Sequence, residues 1–431
     1  MISKLIFIAL LVFTQSAWST AKIQHWQSQQ GTRIYYVQTQ GLPMVDIRIT
    51  FDAGSARDGD QFGLASMTSS MLDTGAGDWD ADEIARRFES VGALFGTGTS
   101  KDMAWLSLRT LTDKALFDKA LDTLTTILTN PAFKEKDFSR EKKRTLAALK
   151  HREESPGAIA SIAFSKALYH DHPYAHPGMG FVETVAGFTS SDLIEFYRQY
   201  YVAANAIIVI VGDVNRKQAE DIAEKLLKDL PQGTKPEPIP KVPMPVKGHR
   251  QHISFPSSQT HVLAGLPGSY RKDPDYFPLY VGNYILGGSG LVSRLFEEVR
   301  EKRGLAYSAY SYFAPMYRKG PFTMGLQTRN DQTEQAVEVM MNTLKDFVNN
   351  GPTAKELVAA KKNISGGFVL RFDTNSKLSQ YVNMIGFYQM PLDYLETFQK
   401  NVEAVTVESI QDAFKRRIKP ELFQIVTVGG Q

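Results

Sequence analysis

The residue types best suited to chemistry lie close together in residues 291–307, LVSRLFEEVREKRGLAY, directly after the glycine-rich ILGGSG. Arg300 and Tyr307 are seven residues apart, and Gly304 lies between them where a C-cap glycine ends a helix. The turn brings a guanidinium and a phenol back toward one another. Both are hydrogen-bond donors, so the pair can serve an oxygen that carries or develops negative charge. The competing reading is structural: Arg300 pairs with Glu297 or Glu301 on its own helix and Tyr307 only packs. Gly287, Gly288 and Gly290 surround Ser289, and a loop with so few side chains lets another backbone come close.

Other candidate groups are weaker. His170, His172 and His176 form a short tract that could suggest a metal, or a loop packed by Pro173, Tyr174 and Pro177. His249 and His252 have no acidic neighbour in sequence to complete a site. The chain has no cysteine, which removes thiol nucleophiles and disulfides. It has neither a nucleophile-elbow motif nor H-x-x-E-H.

The elements that must carry these residues can be read from periodicity. Alternation predicts strands over 33–38 and 45–51, a helix over 62–72, and a helix capped by Asp80 that runs to about 90. Strand candidates at 94–99 and 103–110 precede a periodic helix over 112–129, which Pro131 stops. Helices follow over 138–154, 156–169 and 190–200, then an apolar strand at 207–211 and a surface helix over 215–230. Six prolines between 231 and 245 mark a semi-rigid linker. Beyond it the expected elements are strands at 252–255 and 261–266, a helix to 286, and a helix with Leu291, Leu295, Phe296 and Val299 on one face. Strands at 307–313 and 322–328, helices over 334–349, 354–368 and 375–388, a helix from Val407 and a strand from Leu422 complete the chain.

The second part repeats the first. TSSDLIEFYRQYYVAANAIIVIVG at 189–212 and TVESIQDAFKRRIKPELFQIVTVG at 406–429 are offset by 217, and Gly54 with Gly268 and Leu72 with Leu286 are offset by 214. Two related α+β halves follow: 22–230, and 250–431 with the glycine loop and the Arg/Tyr pair, joined by a proline-rich linker at 231–249. Residues 1–21, with Lys4, the apolar LIFIALLVF and the small residues around Ala17 and Ser19, read as a signal peptide, which implies a periplasmic or secreted protein. No later stretch is apolar enough to span a membrane, so no membrane association is expected once the signal is removed. At 43% hydrophobic and 22% charged, with a net charge of +3, the 431-residue chain is ordinary for a globular protein and carries no basic stripe for nucleic acid.

FDAGSARDGDQFGLASMTSSMLDTG, HPYAHPGMG with NAIIVIVGDV, and ILGGSGLVSRLFEEVREKRGLAYSAYS together resemble the pitrilysin and mitochondrial-processing-peptidase superfamily of zinc peptidases. The resemblance covers nearly all of the chain after the signal. It implies two homologous halves, each a mostly antiparallel sheet flanked by helices. Active members carry H-x-x-E-H on the helix after the first glycine pair: two histidines on one helical face bind zinc, and the glutamate activates the metal-bound water. Here those positions are Ser66, Ser69 and Ser70, and the place of the distal glutamate ligand falls at Ala147 and Ala148. Serine is a poor zinc ligand and cannot act as a carboxylate base.

The glycine loop and the Arg300–Tyr307 spacing, in contrast, match the family. There the loop residues Gly287, Gly288, Ser289 and Gly290 would bind substrate, and Arg300 and Tyr307 would position the peptide backbone and stabilise the oxyanion. The resemblance therefore implies a non-catalytic subunit, with no cofactor of its own, that serves a homologous zinc-bearing partner acting on unfolded peptides. The alternatives are a peptide-binding or assembly homodimer with no proteolytic role, and an enzyme using unrecognised residues.

Overall fold

The computed structural model describes residues 22–430, so the signal-peptide reading lies outside the described residues. In chain order the first half contains β1 (Gln24–Gln27), β2 (Arg33–Gln38), β3 (Met44–Phe51), α1 (Leu64–Met71), the two-residue strands β4 (Gly75–Ala76) and β5 (Trp79–Asp80), and α2 (Ala81–Glu89). Then come β6 (Leu94–Thr99), β7 (Ala104–Leu111), α3 (Lys114–Thr129), α4 (Glu135–Arg152), α5 (Pro156–Tyr169), α6 (Val182–Gly187), α7 (Ser190–Tyr200), β8 (Ala206–Gly212) and α8 (Arg216–Leu227). The second half contains β9 (His249–Ile253), β10 (Gln259–Pro267), α9 (Tyr276–Asn283), α10 (Arg294–Phe296), β11 (Ala306–Phe313) and β12 (Pro321–Arg329). It ends with α11 (Thr333–Asn350), α12 (Ala354–Phe368), α13 (Asn375–Phe387), α14 (Tyr394–Glu403), α15 (Val407–Arg417) and β13 (Gln424–Val428).

Among the described residues the first sheet has the order β1-β2-β8-β3-β7-β6 and the second β11-β12-β10-β13-β9. Read from the other end, the second sheet is β9-β13-β10-β12-β11 and corresponds strand for strand to β2-β8-β3-β7-β6. Each has one parallel pair, β2 with β8 and β13 with β9, and the other pairs are antiparallel. The 217-residue repeat is visible in α7 and α15. Each begins after a threonine N-cap, Thr189 or Thr406, closed by a capping box. Strand β8 is buried at every position. Ile208 and Ile210 face the core built by the first half, whereas Ile207, Val209 and Val211 face a core shared with the second.

That shared core arises because the halves exchange a helix. α13 packs on β8, β3 and β2 of the first sheet, and α5 packs on β10 and β13 of the second. At the first contact Gly386 is required: a Cβ there would sit 2.5 Å from the Tyr35 ring, and Arg33 donates to the Gly386 carbonyl at 2.8 Å. The linker is extended and pinned at three points. Arg57 donates to Glu237 O, His172 Nε2 lies 3.0 Å from Pro240 O, and Arg318 donates to Ile239 O. Its far end is shorter than the sequence suggests, because His249 already pairs with Gln424 in β9.

Residues 291–301 correct the expected helix. Leu291 is 71% exposed and Val292 is exposed too, in a short turn. The helix starts only after Ser293, whose Oγ accepts from Phe296 N, so Leu295, Phe296 and Val299 are buried but Leu291 is not. α10 then widens into a π-helical turn at Glu297–Glu301, and a second π turn, Tyr284–Gly288, precedes the glycine loop.

Candidate functional site

Gly304, at φ +62°, turns the chain from the π turn into β11, with Gly304 N donating to Arg300 O at 2.8 Å. The reversal brings Arg300 and Tyr307 together. The guanidinium carbon stands 4.3 Å from the Tyr307 ring centroid, and Nη1 donates to the Tyr307 carbonyl at 2.7 Å. The expected competition from Glu297 and Glu301 does not occur. Glu297 pairs with Lys302 at 2.9 Å, and Glu298 holds Lys302 and Arg303 at 2.6 Å. Arg294 is taken by Glu356 at 2.7 Å and Asp346 at 3.3 Å. Among the described residues, Arg300 is left without a carboxylate within ion-pair distance. Tyr307 is 82% exposed on β11, an edge strand. The pair is thus a preassembled set of donors on the surface.

The glycine loop divides between two tasks. Gly287 is buried under β11, where a Cβ would lie 2.5 Å from Ser311 N and 2.7 Å from Leu295 Cδ1. It serves packing, not a ligand, which corrects its place among the substrate-binding residues. Gly288 and Gly290 are exposed and Ser289 is half-buried, so these three are open to a ligand.

Helix α1 is well built but chemically empty. Asp58 accepts from Gly63 N and Ala65 N, both at 2.8 Å, and so satisfies the start of the helix. Its burial pushes its pKa up to about 7. His176 lies 3.8 Å from Asp58, stacks on Phe62 at 4.3 Å, and is held down to about 4, first by burial and then by Lys101. On the helix itself, Ser69 is 3% exposed with a hydroxyl that has no partner, and Ser70 donates to Met67 O at 2.9 Å. Ala147 and Ala148 are exposed on α4. These residues do not fit a zinc ion: the helix offers neutral hydroxyls, one already engaged, and α4 offers methyl groups. Among the described residues no group of three or more His, Cys, Asp or Glu side chains is arranged to hold a metal. The histidine tract diverges: His170 is exposed, His172 binds the linker and His176 packs at α1. His252 pairs with Thr427 Oγ1 at 3.0 Å.

Sequence reasoning missed Asp102, in the turn between β6 and β7. It is 2% exposed and accepts hydrogen bonds from the Tyr174 hydroxyl, the Tyr388 hydroxyl at 2.9 Å and Tyr317 N at 2.8 Å. Two of those donors belong to the second half, so one carboxylate ties the halves together. The available signal was a charged pair, Lys101–Asp102, in a tight turn between apolar strands.

A family model described as insulinase (peptidase family M16) matches residues 33–180, and one described as the peptidase M16 inactive domain matches residues 187–364. A solved structure titled peptidase M16 inactive domain, from Pseudomonas fluorescens, is 37% identical with a TM-score of 0.92 and covers 95% of this chain and 98% of that one. A protein named as a non-peptidase homologue, from Helicobacter pylori, is 27% identical over 96% of this chain and 95% of its own length. A protein of Bacillus subtilis named as an uncharacterised zinc protease is 29% identical over 83% of this chain and 87% of its own length.

Proposed function

The chain belongs to peptidase family M16 as an inactive homologue, and from that premise we propose that it is the non-catalytic subunit of a heteromeric zinc metallopeptidase working in the periplasm. The observation that carries the reading is an imbalance. Ser66, Ser69 and Ser70 stand where ligands and base belong, while half-buried Arg300, which has no carboxylate partner among the described residues, is assembled against exposed Tyr307. Arg300 and Tyr307 would reach a peptide held by a homologous zinc-bearing partner and donate to its carbonyl oxygen as charge develops. Gly288, Ser289 and Gly290 would lie along that peptide. The metal and the base would be the partner's.

The test is reconstitution with a zinc-bearing homologue from the same cell and peptidase assay of the complex. Arg300→Ala and Tyr307→Phe should assemble normally and lower kcat, Arg300→Ala by about 10²–10³-fold if it is an oxyanion donor. Unchanged activity in both variants would remove the proposed role. A chain that forms only homodimers and binds peptides without cleaving them would favour the alternative of an assembly or peptide-holding homodimer.

A further inference from the structure

A cavity of about 490 Å³ lies between the first sheet and α13, and neither Arg300 nor Tyr307 lines it. Arg48 from β3, Arg271 from the segment before α9, and Arg371 and Lys377 from either side of the α13 N-terminus converge on it, and among the described residues no Asp or Glu lines it. Only the exchange of α13 brings these positions together.

The cations are poorly compensated. Lys377 pairs with Asp373 at 2.8 Å, but the arginines facing the cavity lean on aromatic rings. Arg48 lies 4.4 Å from the Trp105 ring centroid, and its Nε is buried without a hydrogen-bond partner. Burial alone lowers its pKa to about 10. Arg271 lies 5.3 Å from the Tyr388 ring, and its Nε is likewise buried and unpartnered. Asp102 touches this region only through the Tyr388 hydroxyl, on which it is already spent.

Arg48 and Arg271 are half-buried with no carboxylate partner among the described residues, an arrangement that an anion in the cavity would complete, and the planar fork suits a carboxylate. A third polar group points the same way. Asn383, 4% exposed, lines the wall with a buried side-chain oxygen that has no partner, and a turn of the amide away from Met103 would present it as an acceptor for an amide N–H. Trp105, Tyr381 and Phe398 supply flat apolar wall. The volume falls in the range of small-molecule sites and holds one bulky residue with its flanking amide, not a folded partner.

We infer that this cavity binds an N-acylated amino acid with a free carboxylate and a large apolar side chain, the unit found at the C-terminal end of a peptide. The carboxylate meets Arg48 and Arg271, the amide N–H meets Asn383, and the side chain lies among the aromatic rings. The inference is independent of any partner subunit.

Calorimetric titration of the full chain tests it, with N-acetylphenylalanine, its C-terminal amide, a tetrapeptide ending in phenylalanine, and inorganic phosphate as probes. The acid should bind, and the amide should bind at least tenfold more weakly. Arg48→Gln and Arg271→Gln should each weaken the acid at least tenfold, whereas Arg86→Gln, on the exposed face of α2, should not. Tighter binding of the tetrapeptide identifies a peptide end as the natural source, and its exclusion identifies a free acyl amino acid. Equal binding of acid and amide, phosphate binding as well as the acid, or no binding of any probe overturns the inference. If a variant melts early, the acid–amide comparison on the unaltered chain still decides.

Discussion

Asp102→Ala removes the acceptor of two buried hydrogen bonds, from the Tyr174 hydroxyl and the Tyr388 hydroxyl at 2.9 Å, and of a part-buried one from Tyr317 N at 2.8 Å. Tyr174 keeps one contact, since its oxygen accepts from Arg318 N at 3.2 Å, but its proton loses its partner. Leaving a buried donor unsatisfied costs about 1–3 kcal/mol, so the two hydroxyls cost about 2–6, and Tyr317 N, which water can reach, adds less. Against this stands relief from burying a carboxylate, whose pKa is raised first by burial. The net loss should be about 2–5 kcal/mol, a large share of the ~5–15 kcal/mol that holds a typical domain. Asp102→Asn keeps one acceptor oxygen and should lose about half as much. Urea unfolding followed by far-ultraviolet circular dichroism, which reports both halves, measures the loss, and protease nicking near Gly233 reports whether the linker is released. Because α5 and α13 are exchanged, the transition should move as one step. An alanine variant within about 1 kcal/mol of the parent, or two separate steps with one unmoved, would refute the view of Asp102 as the tie between halves.

The pair Asp58 and His176 gives opposing pH dependences. Asp58 is raised to about 7, so its folded form holds a proton that the unfolded chain releases above about 4, and its contribution falls as pH rises toward 7. His176 is lowered to about 4, so its contribution is complete above about 6.5 and is lost as pH falls toward 4. Denaturation measured from pH 4 to 8 should therefore show His176→Gln gaining stability as pH drops from 7, and Asp58→Asn losing it below about 6.5. Gly287→Ala forces a Cβ to within 2.5 Å of Ser311 N, and should cost about 1–3 kcal/mol by thermal melting while disturbing β11, where Tyr307 sits. Placing His, Glu and His at 66, 69 and 70 should not create a strong zinc site, because Ser69 is buried and Ala147 supplies no third ligand; metal analysis after dialysis checks this.

The parts of this fold written in local patterns were readable. The capping residues Asp80, Asn215 and Thr406, and the spacing of Leu116, Ala120, Leu124 and Ile127, place helices close to where they lie. Other elements were too short or too polar to signal themselves: β1 reads QHWQ, and α6 has six residues. α14 was overlooked although Tyr394, Leu395, Phe398 and Val402 keep helical spacing after Pro391. Leu291 was misplaced because the apolar period ran through Ser293, whose capping role outweighed it.

What no local pattern could reveal was which sheet each apolar face covers. The residues of α5 and α13 are apolar for the same reason as any core helix, and nothing in their spacing says that the two are exchanged. The convergence of Arg48, Arg271 and Arg371 follows from that exchange and has no signature in sequence. The Arg300–Tyr307 pair was legible because its geometry is local: seven residues and one glycine turn.

The proposed division of labour is between this chain and a zinc-bearing homologue. The most direct measurement is peptidase activity and bound zinc for this chain alone, the homologue alone and the two mixed. This chain alone should hold no zinc and hydrolyse nothing, and the mixture should show activity that chelators abolish and Arg300→Ala reduces. Chelator-insensitive hydrolysis by the purified chain, or a mixture no more active than the homologue by itself, would contradict it.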